Sequence, residues 1–179
     1  MKVRELEPED IPLLSQYWFE SDAAFLHSLG VDVLKLPGRE QFSQMLAEQL
    51  RTPLETRRSF CLIWLEDEQP VGHSNTNPTY FGEEAYMHLH LWKNGLRRQG
   101  LGTAFVQLSI SVYFEKLKLK RLISEPYALN AAPNKTLEKA GFILMKEYIT
   151  IPGAINYEQP VKRWELSREQ YCSIGTTGR

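Results

Sequence analysis

Two cysteines, Cys61 and Cys172, are all that the 179 residues contain. They lie far apart and without metal-ligand spacing, which implies a reduced, cytosolic setting. No run of 18 apolar residues occurs, so no membrane span is expected. The first residues lack the apolar core of a signal peptide. Neither sign of charge is in excess: 21 lysines and arginines face 22 aspartates and glutamates, a formal charge of −1. That balance argues against nucleic acid or an anionic membrane as the main partner. Internal repeats and low-complexity linkers are absent too. What remains is an ordinary globular composition, 42% hydrophobic and 24% charged. The expectation is one domain over residues 1–167 with a sizeable core, followed by a mobile tail over 168–179.

The stretch from Leu89 to Leu108 organises the chain. It reads as the end of an apolar strand, a Gly-rich turn, and the start of an amphipathic helix. The turn holds Arg97-Arg98-Gln99-Gly100-Leu101-Gly102. A helix N-terminus presents unpaired backbone N–H groups and a partial positive charge, so it suits an anion. Gly100 and Gly102 let the backbone approach a phosphate closely. The spacing is not the dinucleotide fingerprint, which needs Gly-x-Gly-x-x-Gly. It is not a P-loop either, because no Gly-Lys-Ser/Thr follows.

Other elements follow from periodicity. Residues 2–7 read as a short strand, and Glu7-Pro8-Glu9-Asp10 as a helix start with Ile11, Leu14 and Trp18 facing inward. Residues 21–37 are broken helix. A helix over 39–51 carries Phe42, Met45, Leu46 and Leu50 as its apolar stripe. Residues 58–66 are a buried strand, 71–77 a second strand, 75–84 a polar loop, and 85–92 the strand before the turn. On that last strand Tyr86, His88, His90 and Trp92 share one face, because side chains alternate. Two such histidines could ligate a metal, but a third ligand is not evident, so no metal is expected. The helix over 101–117 has Leu101, Ala104, Phe105, Leu108 and Val112 as its stripe. A strand over 119–125 leads to a helix capped by Asn130 and ended by Gly141. Two final strands, 143–151 and 157–166, close the chain, with Pro160 suggesting an edge or bulge.

Arg97, Gly100 and Gly102 match the Gln/Arg-x-x-Gly-x-Gly/Ala loop that holds the acyl-CoA pyrophosphate in the GNAT superfamily of N-acetyltransferases. The segment with Asn130, Glu138, Lys139, Gly141 and Phe142 is similar to that family's second signature. The opening and the closing hairpin fall in the family's order, so the resemblance covers about residues 1–167. It implies a mixed α/β fold: a twisted, mostly antiparallel sheet of about seven strands with helices on both faces. It also implies acetyl-CoA as co-substrate. The implied cofactor contacts are the strand-end residues Leu91 and Trp92, the turn Arg97, Arg98, Gln99, Gly100, Leu101, Gly102 and Thr103, and then Asn130, Asn134 and Lys139. The strand before the turn supplies the general base in relatives, which makes His88, His90 and Glu84 the catalytic candidates. Imidazole suits the removal of a proton from an ammonium acceptor.

One position departs from the family. Many members carry, just before Glu-Lys, a Tyr that protonates the departing thiolate; here Leu137 stands there. Tyr127 and Ser124 are the nearby alternatives. The overall look is closest to aminoglycoside 6′-N-acetyltransferases, with ribosomal-protein N-terminal acetyltransferases next. The expected acceptor is therefore a small-molecule amine, and the protein a monomer or homodimer. For a polycationic acceptor, Glu20, Asp22, Asp32, Glu83 and Glu84 could supply acidic groups. The competing class is a non-catalytic CoA-binding module, and turnover with an amine separates the two.

Overall fold

The computed structural model describes residues 1–92 and 100–176, with side chains described as far as Ser173. Seven strands form one sheet in the order β1-β2-β3-β4-β5-β7-β6. They are β1 Lys2–Glu5, β2 Phe60–Glu66, β3 Gln69–Tyr80, β4 Glu84–Leu91, β5 Arg121–Ser124, β6 Ile143–Thr150 and β7 Gln159–Ser167. Every pairing is antiparallel except β4 with β5. Among the described residues six α-helices flank the sheet: α1 Ile11–Glu20, α2 Ala23–Ser28, α3 Arg39–Arg51, α4 Leu101–Leu117, α5 Ala131–Lys139 and α6 Arg168–Thr176. Short 3-10 turns lie at Pro8–Asp10 and Val33–Lys35.

Alternation along β2 sorts the core into two faces. Phe60, Leu62 and Trp64 pack with Phe105, Phe114 and Leu137 from α4 and α5. Cys61, Ile63 and Leu65 pack with Leu14 of α1 and with Phe42, Leu46 and Leu50 of α3. The mixed sheet with helices on both faces is the expected architecture. Inside the first core, polar groups are paired: Trp64 Nε1 donates to Ser109 Oγ at 3.0 Å, and Ser74 Oγ lies 2.7 Å from Tyr113 Oη. Gly72 of β3 is crowded by β4 and by Trp64. A Cβ there would lie 2.5 Å from the His90 carbonyl oxygen and 2.9 Å from Trp64.

Several local expectations change. The 75–84 loop is mostly strand: β3 runs on to Tyr80, with a register shift between Thr76 and Thr79 at the cis Asn77–Pro78 bond. The polar residues read as loop are strand residues, and Thr76 and Thr79 are buried against each other at 2.8 Å. The β2–β3 turn is Asp67-Glu68, both at positive φ, as a tight hairpin demands. Met45 and Leu108 are exposed, because the buried stripes of their helices run through Leu46 and Leu50 and through Phe105, Ser109 and Tyr113 instead. Pro160 is not at an edge, since β7 lies between β5 and β6. Its carbonyl accepts from Ala128 N–H at 2.8 Å, so its missing N–H faces the 126–128 segment and β6 loses no bond. Arg168–Thr176 form α6. Tyr171 stacks on Phe114 at 4.7 Å, and Arg168 donates to the Leu119 and Phe114 carbonyls at 2.8 and 2.5 Å.

Candidate active site

β4 and β5 pair only from Glu84–Arg121 to Tyr86–Ile123. One more contact follows, Ser124 Oγ donating to the Met87 carbonyl at 2.8 Å. Beyond it the strands part and a cleft passes through the sheet. Backbone groups alternate in direction along a strand. The Met87 carbonyl faces β5, so Leu89 also turns its N–H and C=O toward the opening. Trp92 does not: its N–H donates to the Val71 carbonyl at 2.9 Å and its indole to His73 Nδ1 at 2.7 Å. Both N–H groups of Trp92 are thus engaged within the fold. α4 follows β4 in the chain and is N-capped by Gly100, whose φ of 77° is left-handed and suits glycine. Among the described residues no side chain caps this helix, and a Cβ at Gly100 would meet none of them within 4 Å beyond its chain neighbours. Thr103 N–H returns to the Gly100 carbonyl at 3.1 Å. Leu101 and Gly102 share the first turn, and the nearest side chain to Gly102 is Thr136 of α5. Arg97, Arg98 and Gln99 lie outside the described residues.

The cleft is a space of about 550 Å³ including its open mouth. His88 and His90 enter it from β4, Glu125 and Tyr127 from the end of β5, Asn130 from the start of α5, and Gln159 from β7. His88 Nε2–H donates to the Asn77 carbonyl at 3.0 Å. That bond leaves Nδ1 with the lone pair in the neutral ring. Burial pushes His88 below its ordinary pKa, against the upward pull of the Asn77 carbonyl and of Glu125. His90 is more enclosed. Tyr17 Oη lies 3.1 Å from its Nδ1, His73 stacks on it at 4.6 Å, and Trp18 meets it edge-on at 5.0 Å. Burial first, then His73 and His88, hold His90 well below the usual imidazole range. His73 is buried and pushed down to about 3, by burial and then by His88.

Glu84 is not brought to this site. It stands at the other end of β4, roughly 20 Å from His90 at the rise of a strand, and is paired with Arg121. The carboxylate that does reach the cleft is Glu125, on which the sequence reading placed no role. Its Oε1 accepts from Tyr148 Oη at 2.6 Å and from Arg163 Nη1 at 2.8 Å. Burial works against the charge of Arg163, but bonds to Tyr86, Glu165 and Glu125 outweigh it and raise its pKa. His73 was missed as well, and so was the pairing of Tyr17 with His90. The Gly-His at the start of β3 was the only signal, and nothing local marks either as a neighbour of His90. Asn130 stands at the N-cap of α5 without a side-chain cap bond. Asn134 is fully engaged: Nδ2 donates to the Tyr127 and Asn130 carbonyls at 3.1 and 2.7 Å, and Oδ1 accepts from Trp164 at 2.8 Å. It shapes the 127–130 turn rather than facing a ligand. Lys139 lies at the far end of α5, one turn beyond Thr136. Leu137 is fully buried in the core. Among the described residues no group of three His, Cys, Asp or Glu could hold a metal, and no helix is long and apolar enough to cross a membrane.

A family model described as an acetyltransferase (GNAT) domain matches residues 1–143. The chain belongs to the GNAT acetyltransferase family. No curated protein sequence matches it. Solved structures of low identity share the fold of this GNAT chain. An aminoglycoside acetyltransferase, AAC(6′)-Ib, in complex with coenzyme A and kanamycin is 14% identical over 97% of this chain and 98% of that one, with a TM-score of 0.74. A ribosomal-protein α-N-acetyltransferase in complex with coenzyme A is 15% identical over 92% of each, TM-score 0.74. The spermidine N-acetyltransferase of Vibrio cholerae with coenzyme A and spermine is 13% identical over 96% of this chain and 97% of that one, TM-score 0.75.

The acidic groups expected to greet a polycation are otherwise engaged in this GNAT chain. Glu20 pairs with Arg39 at 2.8 Å, Glu83 with Lys120 at 2.7 Å, and Glu84 with Arg121. Asp22 caps α2 and Asp32 caps the 33–35 turn.

Proposed function

We propose that this protein moves the acetyl group of acetyl-CoA to a primary amine of a small molecule. What supports the reading is the short β4–β5 pairing that ends at Tyr86–Ile123, together with the left-handed Gly100 at the start of the helix that follows β4. The turn at Gly100, Leu101 and Gly102 would hold the pyrophosphate by backbone N–H groups, with Asn130 further along the same side. Acetyl-CoA would supply an acyl carbon already activated as a thioester. The Leu89 backbone at the opening would bind the pantetheine arm, and N–H groups at this strand end would stabilise the developing oxyanion. Glu125 would receive the acceptor ammonium, and His88 Nδ1 would take its proton. The amine nitrogen then forms its bond to the acyl carbon as the carbon–sulfur bond breaks. Tyr127 is the better placed proton donor to sulfur, because the Ser124 hydroxyl is committed to the Met87 carbonyl.

The test is the thermal midpoint with and without acetyl-CoA, in the native protein and in Gly100→Glu. Ligand at about 100 times its dissociation constant stabilises by about 2.7 kcal/mol, a rise of roughly 5–10 °C for a chain of this size. The native protein is expected to rise and the variant to stay level. A folded native protein with no rise removes the co-substrate and the reading with it.

A further inference from the structure

The acceptor end of the cleft has a roof. The segment after α2 is tied to the β6–β7 loop by bonds that cross between them. Asn156 Nδ2 and Gln159 Nε2 both donate to the Gly30 carbonyl, at 2.8 and 2.9 Å. Asp32 N–H donates to the Ile155 carbonyl at 2.8 Å, and Lys35 Nζ to the Asn156 carbonyl at 2.7 Å. His27 stacks on Tyr157 at 4.9 Å. Gly30, at a φ of 86°, lies so close to Gln159 that a Cβ would meet its Oε1 at 2.0 Å.

What this roof encloses is mixed, with apolar side chains on one side and the amides of Asn130, Asn156 and Gln159 beside them, and it holds little negative charge. Leu29, Pro126, Tyr127 and Pro152 line the cleft on that side. Asn156 and Gln159 turn their amide N–H groups to the roof itself. Ile151, next to Pro152, is exposed at the rim. Among the described residues one carboxylate lines the cleft, Glu125, and it is already shared with Arg163 and Tyr148. Arg163 already balances much of that charge, so the site offers a carboxylate partner to one ammonium at most. A second ammonium would lose its water with no carboxylate to replace it, which is strongly unfavourable, whereas an apolar body gains from burial against Leu29, Tyr127 and Pro152.

We infer that the acceptor is a monoamine whose single primary amine is carried on a compact apolar body, and that the site discriminates against polyamines and aminoglycosides. This rests on the acetyl-transfer reading above. The test uses the purified full chain with acetyl-CoA and a free-thiol readout. The acceptors are phenethylamine, hexylamine, spermidine and kanamycin, with acetyl-CoA binding measured in parallel by calorimetry. The expected result is a kcat/KM at least tenfold higher for the two apolar monoamines than for the two polycations. In Pro152→Glu, which adds a carboxylate to the lining, the ratio should move several-fold toward spermidine. Higher kcat/KM for spermidine or kanamycin in the native protein would overturn the inference and leave acetyl transfer standing. Bound acetyl-CoA with no turnover of either monoamine would overturn it too, while leaving the cofactor site intact. Absence of acetyl-CoA binding would remove the transfer reading itself.

Discussion

His73 shows how much one side chain can demand of its surroundings. The Trp92 indole can only donate, so His73 Nδ1 must stay unprotonated to accept it. Unfolded, an imidazole takes up its proton near 6.5; folded, His73 holds out to about 3. Its contribution is therefore intact above pH 6.5 and is lost as pH falls from there toward 3, at ~1.4 kcal/mol per pH unit. Denaturant midpoints measured from pH 7 to pH 4 should fall steeply in the native protein. In His73→Gln, which keeps an acceptor for Trp92, the slope should be shallower by one proton. His88 is set for a different task. Its pKa lies below the ordinary value, so its base form persists through neutral pH. The acid limb of kcat/KM should fall below 6.5, the unperturbed imidazole value. His88→Gln should lose about 10²–10⁴-fold in kcat/KM and leave the dissociation constant of acetyl-CoA unchanged; an equal loss in both would assign His88 to binding. The two histidines could be read from the sequence because alternation put them on one face of a strand. Glu125, Tyr17 and His73 could not. Their partners lie 38 residues away for Glu125 and 73 for Tyr17, and no local period links such distances.

At the level of elements, long periodic segments were the readable ones. The helix over 39–51 has the expected bounds, and α4 runs over the expected 101–117. β3 was not readable to its end, because Asn75 is a turn former by local preference yet pairs with His88, and the strand resumes at Thr79 after the irregularity at Asn77-Pro78. The tail teaches the reverse lesson. Residues 168–176 hold little apolar area, yet one aromatic stack and one arginine dock them as α6. Tyr171→Ala should lower stability by about 1–3 kcal/mol, below the range for a fully buried aromatic because Tyr171 is only half-buried. Chemical denaturation measures it directly, and an unchanged midpoint would mean that α6 contributes nothing to the domain.

Taken whole, the molecule divides its cleft between two sets of supports. On the proposed reading, the cofactor end would rest on the starts of α4 and α5. The roofed acceptor end rests on the bonds between Gly30 and the β6–β7 loop. Gly30→Ala puts a methyl group into Gln159 at a left-handed backbone position. It should raise the KM for the amine and lower the melting temperature, while acetyl-CoA affinity stays as it was. A matching loss of acetyl-CoA affinity in calorimetry would mean that the two ends are not independent.

The three residue pairs that join β4 to β5 also make a fulcrum. On one side of them stand β1 to β4, on the other β5 to β7, and α4 is the spring that connects the arms. Leu91 lies roughly 16 Å along β4 from the last of those pairs, so a turn of about 4° at the fulcrum moves the tip by about 1 Å. An ångström is the scale on which attack distances are set. A substitution beside Ala85 or Leu122, far from any substrate atom, would thus act on the reaction as a change of leverage rather than of chemistry.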